Sequence, residues 1–391
     1  MMSYKFHKSV LLINPSASFA KVDEISDLID RIKPESHVIL WTPWEAFDER
    51  FLNYIERDYT KTPNHAEDFQ NFEDTLLKNN VKCYMLVGCD YSDAYANIKT
   101  NPIKNFEVIF WPTALLHYTF YGMVHFYGMK PSELFNRYRP IDKLYLNLNN
   151  HERNHRAMLL DYLCKYNLFN YGINTWQYRE SVGYNFNYFN PRKLTYDDFD
   201  EKPNNIPQRV FSEKILNAPN LVDIVGETYP SHSYNHEFPE LTKEYMFHTE
   251  KTFKSILFGK PFLVLGARGQ NLNLHNYGFG LYGDIFDYGF DNGNSIPLRC
   301  LGIIDNLYTI QNKNFGEVRE YVINLSISNI DRATAIVYND EYIPSQLRTL
   351  ISENKEEYRF LLKDFDYNYQ GSFGTPNDFR FSENIFKEIY K

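Results

Sequence analysis

Thr249-Glu250-Lys251-Thr252-Phe253-Lys254-Ser255-Ile256-Leu257-Phe258-Gly259-Lys260-Pro261-Phe262-Leu263-Val264-Leu265-Gly266 holds a complete passage from helix to strand. Thr249 is a helix N-cap residue type, Gly259 falls just past the helix end, and Pro261 stops further winding. A buried strand follows at once. The first turn of such a helix exposes amide donors and the positive end of the dipole, where an anion binds readily. Lys251 and Lys254, three residues apart, share one side of the helix near that end. Cations there oppose the dipole at a cost of a few tenths to about 1 kcal/mol. A bound phosphate removes the conflict; two merely solvated lysines are the alternative reading. Glu250 beside them either complements the helix start or accepts hydrogen bonds from a sugar hydroxyl.

Upstream, Leu221-Val222-Asp223-Ile224-Val225 reads as a strand, which places Glu227 and Thr228 at its C-terminal end. Ligands of open α/β sheets bind at that edge. Strand end, helix start and next strand are therefore expected to converge on one cleft. The same alternation runs through the rest of the chain. Apolar runs start at Val10, His37, Cys83 and Phe106, with helical periods over 22–32 and 67–78 between them. Such runs are the pattern of parallel strands buried on both faces. A second cycle starts with a strand at 143–148 and a helix at 153–166. Residues 183–209 are loop-like, and 301–304 and 335–338 are short apolar runs read as candidates for the same alternation. A final helix is expected over 382–391. Two α/β domains in tandem are expected, 1–140 and 141–391, with the C-terminal helix a candidate to return to the first.

Composition narrows the class. Forty-one basic against fifty acidic residues give a net charge of −9, which argues against a protein that coats nucleic acid through phosphate contacts. No apolar run reaches the ~20 residues of a membrane span, and Cys83, Cys89, Cys164 and Cys300 are too scattered for a disulfide scaffold. A soluble, cytoplasmic protein is expected, in the host cytoplasm if its origin is a phage or virus. The 32 Tyr and 31 Phe fit an AT-rich genome of that kind. Stacking of some rings on sugars or bases is the functional alternative.

Two motif spellings stand in poor context. His151-Glu152-Arg153-Asn154-His155 reads H-E-x-x-H, a zinc-hydrolase signature, but its first His falls in the turn before the helix and not within it. Gly278-Phe279-Gly280-Leu281-Tyr282-Gly283 reads G-x-G-x-x-G but follows no buried strand, so turns are expected there.

The Thr-Glu-Lys helix, its terminal Gly and the Pro-Phe-Leu-Val-Leu-Gly strand resemble the donor-binding motif of fucosyltransferase-like, GT-B glycosyltransferases. They are similar in particular to the phage and viral branch of that group. Asn147-Leu148-Asn149-Asn150, Arg153 and His155-Arg156 resemble the opening of its donor domain, and Gly172-Ile173-Asn174-Thr175-Trp176 a later Gly-x-x-Ser-Trp. The resemblance covers roughly 143–290, and Lys260 and Arg268-Gly269-Gln270 depart from it. It implies two Rossmann-like domains facing a cleft, 1–140 on the acceptor side and 141–391 binding a nucleotide-sugar. Carried over by position, Arg153 and Arg156 contact the donor diphosphate with His155 nearby. Lys251 and Lys254, at the helix that Thr249 caps, complete the anion site, and Glu250 holds the ribose or sugar; Glu227 belongs to the same cleft. Lys251 and Arg156 are expected at the cleft surface.

The implied reaction moves a sugar to a hydroxyl acceptor, a glycan or a hydroxymethylated base of phage DNA. Inverting chemistry needs a carboxylate base from the first domain. Glu45, after Trp41-Thr42-Pro43-Trp44, and Asp90, after Val87-Gly88-Cys89, are the candidates. No cofactor and no metal are expected, because protein cations take up the leaving-group charge. A non-catalytic nucleotide-binding module and a zinc hydrolase through His151, Glu152 and His155 are the alternatives.

Overall fold

The computed structural model describes residues 3–7, 10–14, 26–27, 30, 37–42, 66–88, 104–135, 141–149, 153–176, 184–190, 213–227, 246–346 and 348. The chain divides into two compact units, Met1–Leu115 with Asn339–Lys391, and Leu116–Tyr338. Both are α/β, as the alternation predicts.

In the first unit, β1 (Ser3–His7) and β2 (Val10–Asn14) form an antiparallel hairpin. β3 (His37–Thr42), β4 (Lys82–Val87) and β5 (Phe106–Phe110) then add in parallel, giving the order β1-β2-β3-β4-β5. Helix α1 (Ala66–Lys78) connects β3 to β4 and buries Phe72 and Leu76. Met85, Leu86 and Val87 on β4 are all buried, which is why the strand reads as an unbroken apolar run. The chain leaves β3 at Thr42 and β4 at Val87 on the same sheet edge. Glu45 and Asp90 themselves lie outside the described residues, as do Trp44 and the expected helix over 382–391.

The second unit takes in α2 (Ala114–Tyr127) from Leu116 on, and α3 (Pro131–Phe135). Its sheet contains β6 (Lys143–Asn147), β7 (Ile173–Asn174), β8 (Asn220–Gly226) and β9 (Phe262–Leu265), all parallel in the order β7-β6-β8-β9. The chain goes from β6 to a neighbour on one side, then returns to build outward on the other. The order therefore reverses between β6 and β8, and at such a switch point the C-terminal strand ends open a crevice. Helix α4 (Asn154–Lys165) links β6 to β7, α5 (Glu213–Leu216) precedes β8, and α6 (Glu250–Leu257) links β8 to β9. The right-handed rule for parallel crossovers sends α4 and α6 to opposite faces.

Side chains of β8 confirm that division, since alternate residues face opposite ways. Asp223 and Glu227 bond to α6, whereas a Cβ on Gly226 would stand 2.9 Å from Cγ of Arg156 on α4. Only glycine lets α4 approach so closely. Helix α6 ends as its sequence predicts. Gly259 has φ +64°, and the N–H groups of Gly259 and Lys260 donate to the carbonyls of Ile256 and Ser255, a Schellman closure.

After α7 (Gln270–Asn276) come α8 (Ile296–Ile310) and α9 (Phe315–Tyr338), which pack against α4 and α6 respectively. The runs at 301–304 and 335–338 thus belong to helices and not to strands. Cys300, Ile303, Ile304, Leu307 and Ile310 are buried at helical spacing, behind the Ser295 cap and Pro297 in the first turn. The G-x-G-x-x-G glycines lie in turns and irregular backbone, with Phe279 and Tyr282 buried. Asn329 of α9 bonds both the N–H and the carbonyl of Gly280.

Much of the aromatic content is packing. Trp176 meets Phe186 and Phe189 edge to face at 5.7 and 6.4 Å. Asp161 of α4 pins that segment by accepting from the N–H groups of Asn187, Tyr188 and Phe189. Leu160, wholly buried on α4, should report on this core. Leu160→Ala is expected to lower unfolding stability by about 2–5 kcal/mol, measured in urea, with the secondary structure unchanged.

Candidate functional site

A crevice opens between the ends of β6 and β8 and the side of α6. Leu146 and Leu148, Asp223 to Gly226, Lys251, Lys254 and Ser255 line it. Its geometry follows from one residue. Glu227, directly after β8, has no solvent exposure. Its carboxylate accepts from the N–H of Thr249 at 2.9 Å, from Oγ1 of Thr249 at 2.6 Å and from Oγ1 of Thr252 at 2.5 Å. An anion at a helix N-terminus is favoured by the dipole, and these three donors offset its desolvation. One turn along α6, Oγ of Ser255 donates to Oδ2 of Asp223 at 2.8 Å. Two strand carboxylates thus hold three hydroxyl side chains of the helix. Glu227 is therefore a clamp, with its carboxylate turned into the protein.

Thr249 caps α6 as expected, its Oγ1 accepting the N–H of Lys251 at 3.2 Å. The amides at the helix start are less open than the sequence suggests, because Glu227 takes the Thr249 N–H and Thr249 itself the Lys251 N–H. Lys251 pairs with that carboxylate at 3.0 Å and with Oγ1 of Thr249 at 3.2 Å. Both side chains remain about a quarter exposed, so the pair rims the crevice. Burial raises the Glu250 carboxyl, but Lys251 beside it outweighs that and holds the group below the ordinary glutamate value.

Lys254 differs from every other cation here. It is 7% exposed and lines the crevice, and its ammonium makes no hydrogen bond or close ion pair among the described residues. Burial pushes its ammonium down to about 8. Asp223 and Glu250 resist that shift, while Lys260 and Lys251 add to it. Lys260, equally buried, is satisfied: Nζ donates to the Ile215 carbonyl at 3.1 Å and to Oδ1 of Asn220 at 2.9 Å.

The Arg/His group sits on the other face of β8. Arg156 does not lie at the cleft surface as expected; it is 2% exposed, and Nε and Nη2 donate to the carbonyls of Gly226 and Glu227, both at 3.1 Å. His155 is wholly buried with Nε2 2.8 Å from the Glu227 carbonyl. Burial holds its imidazole well below the ordinary histidine value, and Arg156, Arg153 and Arg299 press the same way. The ring is therefore neutral, and that bond makes Nε2 its N–H donor. Arg153, half-buried, is the N-cap residue of α4.

His151 and Glu152 lie outside the described residues. Among the described ones, no cluster of three or more His, Cys, Asp or Glu is placed to hold a metal. Two carboxylate pairs of the type that ligates a divalent ion, Asp198-Phe199-Asp200 and Asp364-Phe365-Asp366, also lie outside them.

Sequence reasoning missed Asp223, Ser255, Lys260 and Gln270. Gln270 braces the approach to α6, accepting from the Ala267 N–H and donating to the Phe247 carbonyl, both at 2.7 Å. Hydroxyl residues at 249, 252 and 255, three apart along one helix, were the available signal.

No family model matches the chain, and no curated protein matches it. Among solved structures it is similar to a DNA-modifying β-glucosyltransferase, determined with and without its substrate uridine diphosphoglucose. The match has 11% identity and a TM-score of 0.46, over 86% of this chain and 79% of that one. Likeness at this level bears on neither activity nor substrate. No described helix is long and apolar enough to cross a membrane.

Two outcomes follow from the clamp and the lysine. Glu227→Ala leaves three donors without an acceptor and should cost about 2–4 kcal/mol in urea unfolding. Lys254→Met should instead raise stability at pH 7, by about 1–3 kcal/mol, because it removes a buried ammonium. The unfolded lysine titrates near 10.5 and the folded one near 8. Wild-type stability should therefore rise with pH between those values, where the unfolded chain holds the extra proton. The variant should lack that rise, and its advantage should vanish near pH 10.5.

Proposed function

We propose that the protein is a glycosyltransferase whose second unit holds the diphosphate of a nucleotide-sugar in the crevice between β6, β8 and α6. The observation that carries this reading is Lys254, a desolvated ammonium without a hydrogen-bond partner, lining a crevice at the sheet's switch point. A largely buried ammonium whose donors are idle is completed by an anion that supplies acceptors. The resemblance of the Thr-Glu-Lys segment to the fucosyltransferase-like donor motif supports a diphosphate as that anion.

In this reading Lys254 meets the phosphate from within and Lys251 from the rim. Glu250 exchanges its pairing with Lys251 for donor hydroxyls. As the bond from the sugar to the diphosphate breaks, negative charge grows on the leaving oxygens. A cation already in place stabilises that charge without reorganising, an effect worth ~3 kcal/mol for a single donor group. Arg156 and His155 act one layer back by fixing the β8 end, and Arg153 stands at the start of α4. A carboxylate of the first unit, Glu45 or Asp90, takes the acceptor proton in an inverting displacement. The acceptor is a hydroxyl of a glycan or of a hydroxymethylated base in DNA, and neither cofactor nor metal takes part.

A screen of nucleotide-sugars, UDP- and GDP-linked first, should raise the melting temperature of the wild-type protein. Lys251→Ala and Lys254→Ala should each weaken donor binding at least ~tenfold with the circular dichroism spectrum unchanged. Wild-type donor affinity in both variants would refute the site.

A further inference from the structure

We infer that Asp223 is a positioning residue for the anion crevice: its buried carboxylate anchors α6 through Ser255 and stands as an acidic counter-charge in the crevice that Lys254 lines. This inference rests on the proposed anion site and adds its counter-charge. Asp223 lies inside β8, on the strand face turned toward α6, and is almost fully buried. Its two oxygens are held apart in function. Oδ2 accepts from Ser255 at 2.8 Å, while Oδ1 accepts from Asn220 Nδ2 at 2.8 Å and lies 3.9 Å from Lys260 Nζ. A carboxylate in mid-strand is costly to bury, and the Ser255 and Asn220 bonds with the Lys260 ammonium offset that cost. Its location gives it a second role, since Asp223 and Lys254 line the same crevice.

The charged groups that act on Lys254 are few. Asp223 on β8 and Glu250 on α6 favour its protonated form, whereas Lys260 and Lys251 oppose it, and Asp223 is the largest of the four. From β6 and the residue after its end the crevice receives Leu146 and Leu148. β9 contributes Phe262 to Leu265, and the buried face of α9, packed on α6, carries no ionisable residue. Glu250 is already engaged by Lys251 at the rim. Asp223 is thus the larger of the two carboxylates that favour the protonated form of Lys254. The ammonium stays without a hydrogen bond of its own, so its donors remain available to a ligand.

The test is calorimetric titration of the full-length protein with inorganic pyrophosphate and with uridine diphosphate, from pH 6 to 9.5. Ligand ionisation is common to all variants, so only displacements between variants are read. Wild-type affinity should fall through about pH 8 as Lys254 loses its proton. In Asp223→Asn that fall should move at least ~1 pH unit lower, making binding at least ~fivefold weaker than wild type at pH 8 and much closer to it at pH 6. A purely mechanical role for Asp223 would weaken binding equally at every pH and overturn the inference. Lys260→Gln removes an opposing cation and should displace the fall upward, which keeps the test decisive should Asp223→Asn not fold; an unmoved fall there also overturns it. Lys254→Arg should abolish the fall, because a guanidinium does not titrate in this range. If wild type binds neither ligand at any pH, the anion site itself fails. If it binds both and Asp223→Asn follows the wild-type profile, only the role of Asp223 fails.

Discussion

The end of β8 is where the second unit is held together, and the constraint there is that one short strand must dock a helix on each face. Its alternation allows this. Asp223 and Glu227 reach α6 through Ser255, Thr249 and Thr252, while Gly226 leaves room for Arg156 on α4. The backbone carbonyls of Gly226 and Glu227 then take Arg156 and His155. Two helix N-termini are consequently fixed at the same strand end, with opposite chemistry. The start of α6 is gripped through its hydroxyls by anions, and α4 grips the strand through cationic and imidazole donors. The crevice is the space these constraints leave over.

Much of the architecture was legible because buried parallel strands announce themselves. Residues 262–265 and 85–87 are apolar without interruption, since both faces are covered. The cap and stop signals of α6 were equally plain, and Thr249 and Gly259 do what those residue types do at helix ends. The short runs at 301–304 and 335–338 misled for a definite reason. Four apolar residues have no readable period, and only the longer window from Cys300 to Ile310 displays the helical one.

The site was legible by location and less so by role. Spacing placed Lys251 and Lys254 on one helix near its start. It did not separate a rim lysine paired with its neighbour from a buried lysine with no partner. Arg156 illustrates the same limit: an arginine that braces backbone carbonyls and one that binds phosphate have the same letter and the same helical position. The distinction is made by the opposite face of the sheet, which a linear pattern does not contain.

Lys254 and Lys260 show why burial by itself does not mark a functional cation. Both are desolvated, both ammonium groups are shifted downward by it, and both feel the same aspartate. Lys260 spends its donors on a carbonyl and an amide oxygen at the far end of β8, so its charge is absorbed into structure. Lys254, six residues earlier, faces a crevice lined by two leucines and keeps its donors unspent. The difference lies in hydrogen bonding and not in charge, solvent exposure or residue type. A buried cation whose field is balanced but whose donors are idle is arranged for a ligand that supplies acceptors, and phosphate oxygens are acceptors that also carry the opposite charge.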